Sequence, residues 1–315
     1  TSTLIISLNQ TLMLGINASG WSTAQVVSLT STQIGNLTTT QFGKLVSTQI
    51  KALTTTQIVA LSTTNVAYIS TTQLAALTTA QISSLTTTQV GSMETTDIRA
   101  LTLVQAKALS GTQIHSLETT QVVSLTSSQI AGFSTSQVNG LSVEQIAALT
   151  TPQVGGLTSS QIAALTTTQI AGLSSTDITT LDTRQIKGLT TTQIPTLSVE
   201  QIGGLESTDL AVMTTAQLRG LTATQVASLT TGQAKGLTPA QIATLTTTLV
   251  GSLSSADIAV LTTTQVKALS STQIAALRVS QLAGLTTLLM AGLTTLQVRS
   301  LSTTQMDALS TEQLS

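Results

Sequence analysis

An eight-residue period runs through this sequence without an insertion or deletion. Steps of eight from Gln25 give 37 positions ending at Gln313, and 30 of them are Gln. The others are Asp97, Asp177, Asp209, Asp257, Asn65, Leu249 and Leu289. We call each of these 37 places a glutamine position. The next residue is apolar, nearly always Ile, Val, Leu or Met (the aliphatic position). The fourth residue after the glutamine position is Leu in nearly every unit (the leucine position). An unbroken period means that every unit meets its neighbours in the same way, as in a solenoid.

The spacing within each unit favours a helix. The aliphatic and leucine positions are three residues apart, which puts them on one face of a helix but on opposite faces of a strand. The residue after Leu is usually Ser or Thr and lies three residues before the next Gln, matching the S/T-x-x-Q capping box. We call it the cap position.

Several variant units carry further helix-start signals. Asp182 is a good cap residue, Glu144 places an anion in a first turn, and Pro152 and Pro239 fit first turns. A single long helix is excluded, because a stripe repeating every eight residues would drift around a helix of 3.6 residues per turn. The sequence therefore predicts an all-α solenoid of very short helices, one per eight-residue unit.

Other features favour a β-solenoid in which each coil spans two units. Thr-rich runs have strand propensity, and Pro195 lies inside a predicted helix, where it removes a hydrogen bond. Five units have a poor residue at the cap position, namely Val46, Glu94, Glu118, Glu206 and Arg278. The β-solenoid stays open as the alternative.

The period divides the chain into two segments. Residues 1–24 fit it poorly and are predicted to be a degenerate cap or a subunit-pairing segment, whereas residues 25–315 form the uninterrupted repeat. The N-terminus has no basic region before an apolar one, so we expect no signal peptide within these residues. The sequence stops at Ser315 in the middle of a unit, and an uncapped solenoid end predicts head-to-tail association.

Composition argues against most other functional classes. Charged residues are 7% of the chain and the net charge is −1, so no basic surface for nucleic acid is expected. No apolar stretch is long enough to span a membrane, and there is no Cys for disulfides or thiolate metal sites. A hydrophobic share of 41% nevertheless favours a folded chain over a disordered one.

No catalytic, cofactor-binding or metal-binding residue is predicted, and the chain is not expected to be an enzyme. His115 is the only histidine and occupies the second residue after Gln, a slot that holds Lys or Arg in eight other units and is therefore expected at the surface. The four Asp residues at the glutamine position are isolated and are expected to accept hydrogen bonds at helix starts. Asn9, Asn17 and Asn36 match the N-glycosylation pattern, which is frequent by chance in a chain rich in Ser and Thr.

The unit LTTTQIAGL at 165–173, with its variants from Gln25 to the end, resembles repeat regions of large secreted bacterial surface proteins that are often labelled adhesin-like or haem-utilisation-like. The resemblance implies an extracellular or cell-surface setting, while a single histidine gives no support to haem binding. The stretch LTPAQIATL at 237–245 is similar to the helix start of TAL-type DNA-binding repeats, but their longer repeat and basic surface are absent.

These observations predict a structural protein that forms a surface filament or an adhesin stalk by solenoid stacking and head-to-tail assembly. The expected partner is a second copy of the chain in a homopolymer, with a surface glycan or host surface as a further possible contact. Two alternatives belong to a binding class. Stacked Thr rows of a β-solenoid would bind ice, and a concave solenoid face would bind a peptide or glycan.

Overall fold

A computed structural model describes residues 18–314, and every regular element among them is helical. The chain forms two compact parts, with the division after Leu157, and each part is described by itself. The predicted all-α repeat is confirmed. The β-solenoid alternative is wrong for residues 18–314, because they contain no strand.

The first part contains one short helix for each eight-residue unit. A 3₁₀ turn at Ala18–Gly20 precedes them. The α-helices are Thr23–Ser28, Ser31–Gly35, Thr39–Gly43, Ser47–Ala52, Thr55–Ala60, Thr63–Ala67, Thr71–Ala76, Thr79–Ser84, Thr87–Gly91, Thr95–Ala100, Leu103–Ala108, Gly111–His115, Thr119–Ser124, Ser127–Gly132, Thr135–Asn139, Val143–Ala147 and Thr151–Gly155.

The second part repeats the pattern, except in the unit with Pro195 and in the last unit, where residues 311–313 form a turn. Its α-helices are Ser159–Ala164, Thr167–Gly172, Ser175–Thr179, Thr183–Gly188, Val199–Gly203, Ser207–Val212, Thr215–Arg219, Ala223–Ala227, Thr231–Gly236, Pro239–Thr244, Thr247–Ser252, Ser255–Ala259, Thr263–Ala268, Ser271–Ala275, Val279–Leu282, Thr287–Ala291, Thr295–Arg299 and Thr303–Asp307. The unit with Pro195 instead forms a 3₁₀ turn at Ile194–Thr196, as expected for a residue that cannot donate to the preceding helical turn.

The predicted capping box starts nearly every helix. At Ser127–Gly132, the Thr126 hydroxyl accepts from the Gln129 N–H at 3.2 Å, and Gln129 Oε1 accepts from the Thr126 N–H at 2.6 Å. These two bonds pair donors that would otherwise lack partners at a helix N-terminus. Helices of six residues end one residue before the leucine position, whose extended backbone leads directly into the next cap.

The five poor cap residues still precede helices. None of them accepts a capping hydrogen bond through its side chain. The other half of the box remains, because the side chain at the glutamine position accepts from the N–H of the cap residue, as in Val46 to Gln49 at 2.7 Å and Arg278 to Gln281 at 2.8 Å. One of the two reciprocal bonds is therefore enough to place the helix start.

The core of each part consists of the aliphatic and leucine positions, which are buried in nearly all units. Helices pack against those three units away, for example Ser31–Gly35 against Thr55–Ala60 and Pro239–Thr244 against Thr263–Ala268. Side-chain hydrogen bonds extend to the unit four places earlier, as from Gln137 to Ala106 and Leu109. One turn of the solenoid therefore takes between three and four units, and isolated units have no core of their own.

The proposed cap at residues 1–24 falls largely outside the described residues. Trp21 lies on the leucine grid within the described part and is buried.

Candidate functional site

The glutamine side chains link successive turns of the solenoid. Gln137 is 5% exposed, and its Oε1 accepts from the Ser134 N–H at 2.8 Å in its own capping box. Its Nε2 donates to the main-chain carbonyls of Ala106 at 3.1 Å and Leu109 at 2.8 Å, in a unit one turn earlier. The carboxamide thus starts its own helix and also satisfies two carbonyls at the end of another.

These inter-turn hydrogen bonds keep a fixed register. The acceptors lie 28 residues earlier, at a leucine position, and in most units also 31 residues earlier, at an aliphatic position. In the first part both bonds are made by Gln49, Gln57, Gln73, Gln81, Gln89, Gln105, Gln113, Gln129, Gln137, Gln145 and Gln153. In the second part they are made by Gln193, Gln201, Gln217, Gln225, Gln233, Gln241, Gln273, Gln281, Gln297, Gln305 and Gln313.

Substitutions at the glutamine position remove one or both functions. Asp97 and Asp209 are buried and accept from the cap N–H groups of Glu94 at 3.2 Å and Glu206 at 2.9 Å, which confirms the predicted helix-start role. An ionised carboxylate has no N–H, so it cannot donate to the carbonyls of the earlier turn. Leu249 can neither cap nor link.

Asn65 shows the opposite loss. Its Nδ2 donates to the Leu37 carbonyl at 2.8 Å, whereas its Oδ1 is buried without a hydrogen-bond partner. A side chain one methylene shorter than Gln therefore reaches the earlier turn but gives up its own capping bond. Asn65 and the Asp residues each perform one of the two tasks that Gln performs together.

Burial raises the pKa of the carboxyl groups of Asp97 and Asp209. A backbone hydrogen bond from the cap residue opposes this rise, and the negative charge of Glu94 or Glu206 adds to it. Asp177 and Asp257 instead follow serine caps, whose hydroxyls donate to the carboxylates at 2.6 Å. The four Asp residues thus fall into two pairs with different surroundings.

The third residue after Gln, which we call the small position, is Ala, Gly, Ser or Thr in most units, and several of its glycines lie close to the adjacent turn. A Cβ at Gly140 would lie 2.5 Å from the Gly111 carbonyl oxygen, and one at Gly188 would lie 2.5 Å from the Ser159 carbonyl oxygen. Since real Cβ contacts are not this close, the helix ends approach each other only because these residues are small. A Ser at this position adds a bond, as in Ser116 to the Thr87 carbonyl at 3.1 Å.

His115 is exposed at the surface slot where the sequence places it. Its Nδ1 lies 3.0 Å from the Gly140 carbonyl oxygen in the next turn. Lys51, Arg99 and Lys107 are exposed at the same slot. Of the three Asn residues that match the glycosylation pattern, Asn36 lies within residues 18–314 and is exposed. Asn9 and Asn17 lie outside the described residues.

Within residues 18–314, His and acidic side chains form no group that could hold a metal ion. Across the same stretch, none of the helices is both long and apolar enough to cross a membrane.

The sequence contained an overlooked signal for the inter-turn bonds. A capping box accepts Glu as readily as Gln, yet none of the 37 glutamine positions holds Glu. Capping alone does not explain this exclusion, but the need for an N–H donor opposite two carbonyls does. The preference of the small position for Ala, Gly, Ser and Thr was visible too, with Asn36, Lys44, Tyr68, Val212 and Val260 as exceptions, and it fits the close approach of adjacent turns at several glycines.

These features define a helical solenoid built from one short structural repeat. A family model described as the ALTTAQ repeat matches residues 90–127, 116–151, 148–175, 170–207, 202–239 and 250–287. The matches cover more than half of the sequence, so the chain belongs to the ALTTAQ repeat family. This confirms the predicted repeat region. No curated protein matches the chain.

Proposed function

We propose that this chain is a structural repeat protein without enzymatic activity, serving as the stalk or filament of an extracellular or cell-surface assembly. The inter-turn hydrogen bonds of the glutamine positions carry the proposal. In most units the same side chain bonds to the same class of main-chain carbonyls, so the repeated polar side chain serves to hold the turns of the chain together.

The direction of these bonds supports assembly between copies. Each turn presents carboxamide donors towards the preceding turn and carbonyl acceptors towards the following one. A turn without a covalent neighbour offers the complement of another copy's surface, and stacking would extend the same hydrogen-bond register. This is the heterologous type of contact that generates open polymers.

A concentration series tests the assembly. The purified chain should gain mass with concentration in sedimentation velocity experiments and form ordered fibres in negative-stain electron microscopy. If the chain stays monomeric at the highest attainable concentration and forms no fibres, the filament function is excluded and only the stalk function is left.

A separate experiment tests the location. Protease treatment of intact source cells should release fragments that an antibody against the repeat recognises, with a cytoplasmic enzyme as the control for lysis. Protection of the repeat until the cells are broken would contradict a surface protein.

A ligand-binding face is the second candidate, favoured by a surface groove of about 470 Å³ in the first part. Its lining includes the hydroxyls of Ser47, Thr78 and Thr102, together with Lys51. Hydroxyl and ammonium groups on a concave surface suit a glycan or a polar peptide. The ice-binding alternative required stacked strands, which residues 18–314 lack.

A matched pair of variants tests the groove. Ala75→Leu fills it, whereas Ala147→Leu makes the same change at an equivalent exposed slot elsewhere. On a glycan array, binding should be weakened by Ala75→Leu and unaffected by Ala147→Leu. Equal binding by both variants, or none by the parent chain, would discard the groove as a glycan site.

A further inference from the structure

We propose that the two units in which Glu precedes Asp, Glu94–Asp97 and Glu206–Asp209, are acid-responsive links of the solenoid. At neutral pH each is a weak point, because an ionised carboxylate leaves the carbonyls of the earlier turn without a donor. At acid pH the protonated carboxyl can donate to one of them and link the two turns.

The register identifies the carbonyls concerned. The Gln units on either side of Asp97 bond to Leu61 and Leu77, each 28 residues earlier, and the same interval from Asp97 leads to Ile69. For Asp209 it leads to Leu181. No side-chain hydrogen bond from Asp97 or Asp209 to these carbonyls is formed within the described part of the chain, while both carboxylates accept from their own cap residues.

Asn65 shows that a protonated Asp side chain is long enough to reach the carbonyl of the earlier turn. Protonated Asp has the length and shape of Asn and carries one O–H donor. At the same position in the repeat, the Asn65 Nδ2 donates to the Leu37 carbonyl at 2.8 Å and its Oδ1 makes no capping bond. Taking up one proton from solvent therefore allows Asp97 to make the bond of Asn65, to the Ile69 carbonyl.

The residue at the cap position separates these two Asp residues from the others. Ser174 and Ser254 donate their hydroxyls to the ionised carboxylates of Asp177 and Asp257. Glu94 and Glu206 cannot do so when ionised, and they place a second negative charge beside the carboxylate. Both differences favour protonation of the Glu-preceded carboxyls.

Other charges on the packed elements are few around Asp97 and more numerous around Asp209. Asp97 shares its helix with Arg99, and the helix Thr119–Ser124 packed against it begins after Glu118. The unit of Asp209 packs against helices that carry or follow Asp182, Arg184, Lys187 and Lys235, and its acceptor unit contains Asp177. Because more basic residues lie near Asp209, Asp97 is the simpler of the two sites for measuring a pKa.

The sign of the pH effect follows from linkage. Because burial raises the pKa of Asp97 and Asp209 in the folded chain, the folded state binds the proton more tightly than the unfolded chain does. These two groups add stability as the pH falls through their folded pKa, and the gain is complete below the ordinary Asp value of 3.8. It is absent at neutral pH, where both are ionised.

Exposed acids act in the opposite direction. Backbone hydrogen bonds lower the pKa of Asp182, Glu144 and Glu200, so their smaller contributions are lost as the pH falls. The test therefore compares variants at each pH and does not rely on the melting curve of the parent chain alone.

The central experiment measures the melting temperature of the full chain at pH 7 and pH 4, with Asp97→Asn/Asp209→Asn as permanent mimics of the protonated form. At pH 7 the variant should melt about 2–4 °C above the parent. The difference should shrink at pH 4, where the parent acquires the proton. Asp257→Asn is the matched control and should show no such pH-dependent gain.

Two further measurements keep the proposal testable if a variant misfolds. Carboxyl ¹³C titration of the parent chain should place the pKa of Asp97 above 3.8. Glu94→Ser, which supplies the missing hydroxyl, should lower it. Parallel melting curves for parent and Asn variant from pH 7 to pH 4, or a pKa of Asp97 at or below its ordinary value, would overturn the proposal.

Discussion

Residues 105–153 and residues 249–289 share one repeat but differ in how their turns are joined. In the first stretch, all seven glutamine positions hold Gln. Each Gln donates to the leucine-position carbonyl one turn earlier at 2.5–2.9 Å. In the second, three of the six glutamine positions hold Leu249, Asp257 and Leu289. A helix nevertheless forms in every unit of both stretches.

The comparison separates helix formation from the joining of turns. Thr246 and Thr286 still accept from the N–H groups of Leu249 at 3.2 Å and Leu289 at 3.3 Å, so the cap residue alone starts these helices. Leu249 and Leu289 have no group that could donate to the preceding turn, so packing of the aliphatic and leucine positions takes over this part of the contact. Gln is therefore retained for the link more than for the helix.

Gln137→Glu should have the largest effect. It preserves the capping acceptor but brings a carboxylate up to the carbonyls of Ala106 and Leu109, where Gln donates. We expect a loss of roughly 3 kcal/mol in the free energy of unfolding at pH 7, measured by urea denaturation followed by circular dichroism.

Two comparisons sharpen that test. Gln137→Leu, which removes the donor without adding charge, should cost less, about 1–3 kcal/mol. The cost of Gln137→Glu should also fall in acid as the new carboxyl is protonated. If Glu is tolerated as well as Gln at neutral pH, the inter-turn bond does not explain the absence of Glu from the repeat.

Gly236→Ala tests the close approach of turns. Its Cβ would lie 2.6 Å from the Ser207 Cβ and 2.8 Å from the Ser207 carbonyl oxygen. We expect a destabilisation of about 1–3 kcal/mol from the forced separation of the two turns. Gly203→Ala is the control, because its Cβ meets nothing within 4 Å, and it should stabilise by about 0.5 kcal/mol through helix propensity. Equal effects of the two substitutions would contradict the packing argument.

Leu249→Gln should repair one weak unit. The new carboxamide would accept from the Thr246 N–H and donate to the Leu221 carbonyl, for a gain of about 1 kcal/mol in unfolding free energy. Leu249→Met keeps the apolar volume without a donor and should give no gain. Lower stability of Leu249→Gln than of Leu249→Met would mean that apolar packing matters more than the link at this position.

Val46→Thr should have the smallest effect. Val46 starts a helix without a side-chain capping bond and is 48% exposed. A hydroxyl there completes the box with the Gln49 N–H and should add about 0.5–1 kcal/mol, seen as a higher melting temperature. Val46→Ala controls for the loss of the exposed valine, and an equal rise for both substitutions would exclude capping as the cause.

The period and the capping box predicted the helix in nearly every unit, because both depend on residues close together in sequence. The exception at Pro195 was foreseeable for the same reason, since it removes a local donor. Even there, Gln193 still donates to the carbonyls of Ile162 and Leu165.

The links between turns were harder to predict because they join residues 28 and 31 apart. Their register depends on how many units complete one turn, and that number is set by contacts between residues far apart in sequence, such as Gly140 and Gly111. The period of eight alone does not give it. The absence of Glu from the glutamine position was the one local trace of this long-range contact.

Exchange of the side-chain carboxamide protons of Gln137, followed by nuclear magnetic resonance, tests the central claim most directly. If its Nε2 is bonded to two main-chain carbonyls of the preceding turn, these protons should exchange far more slowly than those of a solvent-exposed glutamine, and Ser134→Ala at the cap position should leave most of that protection in place. Exchange as fast as in an exposed glutamine would contradict a solenoid whose turns are joined by its glutamines.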